Sequence, residues 1–284
     1  MITRRDFLAA VGAMAASAAA TRRLHGAPRP LSLAPKRLDR IGIQLYTVRA
    51  EMRADMPKTV AAIAGLGYKD VEFAGYFGRT AKQVRELLDA NGLKSPSTHI
   101  GFDAMKVDWD KTFDDALTIG QQFITVPSPP NGTANTVAAW QRVADDFNAA
   151  GEKARTRGLT LGYHNHYTEF AAIEGTTAFD VLLSRADPKY VSFEMDVCWA
   201  TRGGADPVAL MRKYPGRFVM LHIKDITKGP EWRQTDLGEG SIDFASILRE
   251  DAAVMQHVFV EHDQPADPMV VAQTSFDYLS TLEC

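Results

Sequence analysis

From Arg40 onward, eight short β-rich runs alternate with seven helical patterns, and that alternation is what most restricts how this chain can fold. The runs are Ile41 to Val48, Asp70 to Gly75, Ser95 to Ile100, Phe123 to Ser128, Leu159 to His166, Val191 to Val197, Phe218 to Asp225 and His257 to Asp263. A strand that returns to the same sheet through a helix pairs in parallel, so the pattern predicts a parallel sheet covered by helices. Within Thr80 to Asn91, Thr80 can cap, Val84, Leu87 and Leu88 share a face, and Gly92 can stop the helix. Thr136 to Arg157 is the longest helical pattern and ends at Gly158. Eight such units in about 245 residues match a (β/α)8 TIM barrel, which takes ~250. An open doubly wound sheet would carry a glycine-rich phosphate turn after an early strand, and no GxGxxG follows any of the eight runs. One domain, residues 40–284, is therefore expected.

The start of the chain reads as an address. Arg4 and Arg5 precede an apolar run from Phe7 to Ala20 that ends in small residues, the layout of a cleavable export signal. A spanning helix needs ~20 apolar residues, and this run is shorter and rich in alanine. The segment TRRDFL resembles a twin-arginine signal, which implies export machinery as a partner and a periplasmic or extracellular location. Residues 1–30 are assigned to the signal and the start of a linker, and residues 31–39 to the linker. Of the 284 residues, 24% are charged and the formal net charge is −3, so the counterion release that drives nucleic-acid binding has no basic surface to work from. Cys198 and Cys284 are the only cysteines; they carry no CxxC spacing and allow at most one disulfide.

In a barrel of this kind, function gathers where the strands end. Polar residues crowd there: His164, Asn165 and His166 end the fifth run, Glu194 and Asp196 the sixth, His222, Lys224 and Asp225 the seventh, and Glu261, His262 and Asp263 the eighth. Because strand side chains alternate, His164 with His166, Glu194 with Asp196, His222 with Lys224 and Glu261 with Asp263 can each face the barrel mouth. Imidazoles and carboxylates converging from four strands form a ligand set for one divalent metal, Mn, Zn, Co, Fe or Mg. Taken singly, a strand-end histidine is as often a satisfied hydrogen-bonding residue.

The segments LGYHNHYTEF, FEMDVCWA, LHIKD and FVEHD, with the opening IGIQLYTVR and the late LGEGSIDF, resemble the sugar phosphate isomerase/epimerase family of xylose isomerase-like TIM barrels. The resemblance implies a metal held by a glutamate, an aspartate, a histidine and a second glutamate from strands five to eight. It places the last three on Asp196, His222 and Glu261. At the first position this chain has His164 within HNH, a departure that puts the two-glutamate epimerase mechanism in doubt. His164 is the fourth expected ligand, with His166 as ligand or acid/base. Either Glu194 or Glu169 is expected to accept from a ligand histidine's second nitrogen.

The expected function is metal-dependent proton transfer beside a carbonyl of a small sugar or polyol, as isomerase or epimerase. Elimination or hydrolysis of a 3-keto-glycoside is the alternative. Glu261, His166, Glu194 and Lys224 are the candidate catalytic residues. Lys224 can stabilise oxygen charge or simply pair with Asp225 or Glu194. His99, Trp199, Glu72 and Tyr46, with Gln44, are candidate substrate contacts. The Ile226 to Ser241 segment is long for a βα connection and is expected to act as a lid, with Arg233 able to reach an anion. A sugar-binding protein without catalysis and an endonuclease IV-like nuclease are weaker readings; the acidic charge and Trp199 in place of a further histidine count against the nuclease.

Overall fold

The computed structural model describes residues 37–284 except 228, 230, 251 and 252. Eight parallel strands close into a barrel: β1 (Gly42–Gln44), β2 (Asp70–Phe73), β3 (Lys94–His99), β4 (Phe123–Val126), β5 (Thr160–His164), β6 (Val191–Asp196), β7 (Phe218–Ile223) and β8 (His257–Val260). Each strand pairs with its sequence neighbours, and β8 closes on β1 through Gly42 opposite Phe259. The expected TIM barrel is thus the fold. The export signal and most of the linker expected before residue 40 lie outside the described residues. Among the described residues, no helix is long and apolar enough to cross a membrane, and Cys198 is buried as a free thiol.

All eight expected runs contain a barrel strand, but the ladders are shorter at the C-terminal end. In the first run only Gly42–Gln44 pair; Thr47 N then bonds Gln44 O and the chain turns into the helix Arg49–Leu66. The fifth run leaves the ladder at His164, and Tyr167–Phe170 forms a 3-10 turn. The residues released from pairing are those that build the mouth. Helix starts follow their cap chemistry: Thr80 and Gln83 form a reciprocal capping box, and Thr136 caps Val137–Arg155.

Two-residue alternation sorts the interior into layers. Phe123, Met220 and Phe259 form an apolar plug. Two residues beyond Met220 stands His222, and two further Lys224; Glu261 and Asp263 follow Phe259 in the same way. Packing inside is close. A Cβ at Gly162 would come within 2.7 Å of Thr125 Oγ1, so β5 needs glycine there. The helices bury their apolar faces on the outside of the sheet around Val60, Leu88, Phe113, Phe147, Leu182 and Leu279.

Candidate functional site

Below the mouth, two wholly buried carboxylates organise three histidines. Glu194 Oε2 lies 2.7 Å from His99 Nε2, 3.1 Å from His222 Nε2 and 3.2 Å from His164 Nδ1. Glu72 Oε2 takes a hydrogen bond from Gln44 Nε2 at 2.8 Å and lies 2.7 Å from His222 Nε2. A carboxylate only accepts, so the ring nitrogens facing it carry hydrogen. The opposite nitrogens, His164 Nε2 and His222 Nδ1, are thereby turned toward the mouth.

There they meet Asp196 and Glu261. His164 Nε2 is 3.8 Å from Asp196 Oδ2, and His222 Nδ1 is 2.8 Å from Glu261 Oε2. Lys224 Nζ sits among the carboxylates, 2.9 Å from Asp196 Oδ2, 2.7 Å from Glu261 Oε2 and 2.9 Å from Asp263 Oδ2. Asn165 ties β5 to β6 through a reciprocal pair with the Asp196 backbone, both bonds 3.1 Å, and Asp196 Oδ1 accepts from Trp199 N at 2.8 Å.

The structure brings one ligand atom from each of His164, Asp196, His222 and Glu261 within 4.8 Å of the others. His99, His164, Glu194 and His222 meet the same spacing one layer lower. The upper set suits a divalent cation: two nitrogens and two oxygens match the transition metals, and His164 and Glu261 line the open cavity. Asp196 Oδ2, despite its ion-pair distance to Lys224, is buried with no hydrogen-bond donor, as an oxygen awaiting a cation would be.

Charge follows from these contacts. Burial works against ionising His222, but Glu194 and Glu261 outweigh it and raise its pKa well above the histidine range. For His164, burial dominates, the charge on His222 adds to it, and the ring is held neutral. Burial opposes the charge on Lys224 too, yet Asp196, Glu261 and Asp263 keep it an ammonium. Glu261, buried as it is, is held ionised well below its ordinary range by Lys224 and His222.

A cavity of about 590 Å³ opens above this centre. His99, His164, His166, Glu261 and Asp263 form its polar side, and Tyr46, Tyr76, Ile100 and Pro127 face the remainder. The His166 ring is 5.0 Å from that of His164 and stacks 6.0 Å from Trp199. Its backbone N donates to Glu169, while its ring makes no ion pair with the buried carboxylates.

Several expectations change. Glu169 does not serve a ligand histidine; its carboxylate accepts from Tyr163 OH at 2.7 Å and from His166 N at 3.2 Å, and Glu194 takes that part. Lys224 pairs with Asp196, Glu261 and Asp263 instead of Asp225 or Glu194, because Asp225 is turned away to bind the backbone after β7. Glu72, expected to touch substrate, is fully buried beneath His222. Glu194 lies in the same buried layer, behind the three imidazoles. Trp199 does not line the cavity but backs His166, with Lys224 Nζ 5.1 Å over its ring. His99 and Tyr46 do line it. The Ile226 to Ser241 segment, apart from residues 228 and 230, is held by Asp225 and a short hairpin pairing Asp225–Ile226 with Gln234–Thr235. Gln234, which had no signal in sequence, reaches across to Asp263, accepting from its N at 2.8 Å. Asp263 was visible as a strand-end carboxylate but carried no role, and Tyr76, Ile100 and Pro127 gave no sign of lining a cavity.

A family model described as "Xylose isomerase-like TIM barrel" matches residues 60–267. An inosose dehydratase of Lacticaseibacillus casei is 24% identical over 224 residues, 72% of this chain and 70% of that protein. One from Bacillus anthracis is 30% identical over 106 residues, 37% of this chain and 35% of its own length. The crystal structure of a sugar phosphate isomerase/epimerase from Parabacteroides distasonis superposes with a TM-score of 0.76 at 28% identity, covering 86% of this chain and 98% of that one.

Proposed function

Since the chain belongs to the xylose isomerase-like TIM barrel family, we propose that its mouth holds one divalent cation and removes a proton beside the ketone of a sugar or polyol, with loss of a β-hydroxyl as the favoured outcome. His164, Asp196, His222 and Glu261 would hold the cation, and Glu194 and Glu72 would orient the two imidazoles. When bound, the cation supplies Lewis-acid polarisation of the carbonyl oxygen. His166 takes the proton: it lines the cavity beside His164 and is free of the carboxylate network that fixes the other imidazoles.

The observation that favours elimination over epimerisation is that, of the three histidines on the cavity wall, His166 alone stands outside the buried carboxylate network. Epimerisation needs one group to remove a proton and another to return one on the opposite face. Here Glu261 is held by His222 and Lys224, and Glu72 and Glu194 lie buried beneath the imidazoles. In elimination the C–H bond breaks, the proton goes to His166, its electrons form the double bond, and the β C–O bond breaks. The imidazolium can pass the same proton to the departing hydroxide, which leaves as water, so one base suffices. Lys224 and its partners keep the floor charged and ordered. The relatives named inosose dehydratase support a dehydration, and the epimerase-titled structure supports the shared proton abstraction.

The test uses metal-loaded protein and a polyhydroxy ketone, 2-keto-myo-inositol, in deuterated water. His166→Ala should retain its metal and lose about 10²-fold or more in turnover, as for loss of a general base. Asp196→Ala, His222→Ala and Glu261→Ala should lose metal and turnover together. Clean epimerisation without water release would defeat the elimination, and normal turnover of His166→Ala would defeat the base.

A further inference from the structure

A phosphorylated sugar needs a seat for its dianion. On barrels of this architecture the seat is commonly built from the loops after the seventh and eighth strands and a helix start there. In this chain those positions are filled by its own carboxylates. After β7 the backbone N–H groups of Gly238, Gly240, Ser241 and Ile242 converge on one point, a concavity of the kind that binds anions. Asp225, 1% exposed, occupies it: Oδ2 accepts from Gly238 and Gly240, both at 3.0 Å, and Oδ1 from Ile226 at 2.8 Å, Ser241 at 3.1 Å and Ile242 at 3.3 Å. The next helix, Phe244–Arg249, is capped by Asp243, which accepts from Ser246 N at 3.1 Å. After β8 the helix Pro268–Thr281 is capped by Asp267, which accepts from Met269 N and Val270 N.

The cations agree. Among the described residues no arginine or lysine lines the cavity. Lys224 is ion-paired with three carboxylates, those of Asp196, Glu261 and Asp263. Arg49 lies over the Tyr46 ring and donates to its carbonyl at 2.9 Å, Arg202 lies over Tyr167, and Arg233 pairs with Glu231 at 2.6 Å. The carboxylates on the cavity wall are those of Glu261 and Asp263, and Tyr46, Tyr76, Ile100 and Pro127 line it as well.

We infer that this cavity takes an uncharged, unphosphorylated polyhydroxy ketone, its C–H face against Tyr46 and Tyr76 and its carbonyl toward His164 and Glu261. The inference rests on the ketone chemistry proposed above and adds the charge of what is bound. Among the described residues, a phosphate group would find neither a free donor cluster nor a cation without a carboxylate or aromatic partner at the cavity.

Two measurements test it. Solvent deuterium exchange is compared for D-fructose and D-ribulose against D-fructose 6-phosphate and D-ribulose 5-phosphate. The neutral sugars should be favoured in kcat/KM by about 100-fold or more, because a dianion would lose water contacts without gaining donors in exchange. Comparable or better use of the phosphorylated twins would overturn the inference. Thermal melts of metal-free protein with inorganic phosphate and with D-ribulose 5-phosphate decide independently of turnover. The wild-type Tm should not move, whereas Asp225→Ala should melt lower and recover partly on adding phosphate or formate. A rise in the wild-type Tm with either phosphate compound would overturn the inference even if Asp225→Ala does not fold. Exchange with no ketone at all, alongside an unmoved wild-type Tm, would instead sink the ketone reaction while leaving the exclusion of phosphate standing.

Discussion

His222 carries two carboxylate contacts in the lower layer and one at the mouth, and its environment decides how the site responds to pH. Without a cation, Glu194 and Glu261 hold the ring protonated on both nitrogens beyond the ordinary histidine range. That raised pKa contributes stability in full below the usual histidine value and loses it as pH rises through the folded value. Glu261 has the opposite sign: its depressed pKa contributes stability above the usual carboxylate value, lost as pH falls through the folded one. A cation arriving at His222 Nδ1 must displace a proton, so metal affinity should rise with pH through the ordinary histidine range and on toward the raised folded value. Calorimetry in buffers of different ionisation enthalpy should register proton release, and an affinity flat across that range would contradict the ligand assignment. Lys224 gives a second prediction. Lys224→Met leaves Asp196 and Glu261 without their ammonium and should destabilise metal-free protein by about 3–5 kcal/mol, the cost of breaking a buried pair. Added divalent metal should restore much of the lost Tm, since it neutralises the same oxygens.

The element with the most consequence for the site is the connection after β7. Its length alone suggests a mobile lid, yet five backbone N–H groups close on Asp225, and Gln234 secures the far side to Asp263. Apart from residues 228 and 230, it forms a strap tied down at both sides. Gly240 is where the strap is tightest, because a Cβ there would overlap the Asp225 carboxylate and come within 2.6 Å of Ile226 O. Gly240→Ala should therefore cost about 1–3 kcal/mol by overpacking, read as a lower denaturant midpoint. Equal stability of this variant would show that the strap yields easily.

For the whole molecule, the barrel places four strand ends and one cavity on a single face. The expected export signal lies outside the described residues and remains a proposal drawn from Arg4 and Arg5 before the Phe7 to Ala20 run. Replacing both arginines with lysine should leave full-length precursor inside the cell, detected by fractionation and intact mass. Unchanged export of the double variant would remove the twin-arginine reading.

Much of this was legible along the chain, and the reason is periodicity. Alternation every two residues put His222 with Lys224 and Glu261 with Asp263 on the inner wall, and the order of runs and helical patterns specified a closed barrel before any contact was known. His164, Asp196, His222 and Glu261 stand at or beside strand ends, where polar residues crowd, and the family resemblance singled them out there. Partner choice was not legible, since it depends on which side chains from distant strands meet at a given depth. Glu72 comes from β2 and His222 from β7, 150 residues apart, and only barrel closure brings them to 2.7 Å. Asp225 follows Lys224 directly, yet the alternation of the chain sends one side chain inward to three carboxylates and the other outward into five backbone donors. The sequence by itself determined the architecture and the chemical groups at the mouth. Only the tertiary structure decided which were tied to one another and which, like the His166 ring, stand outside the buried carboxylate network.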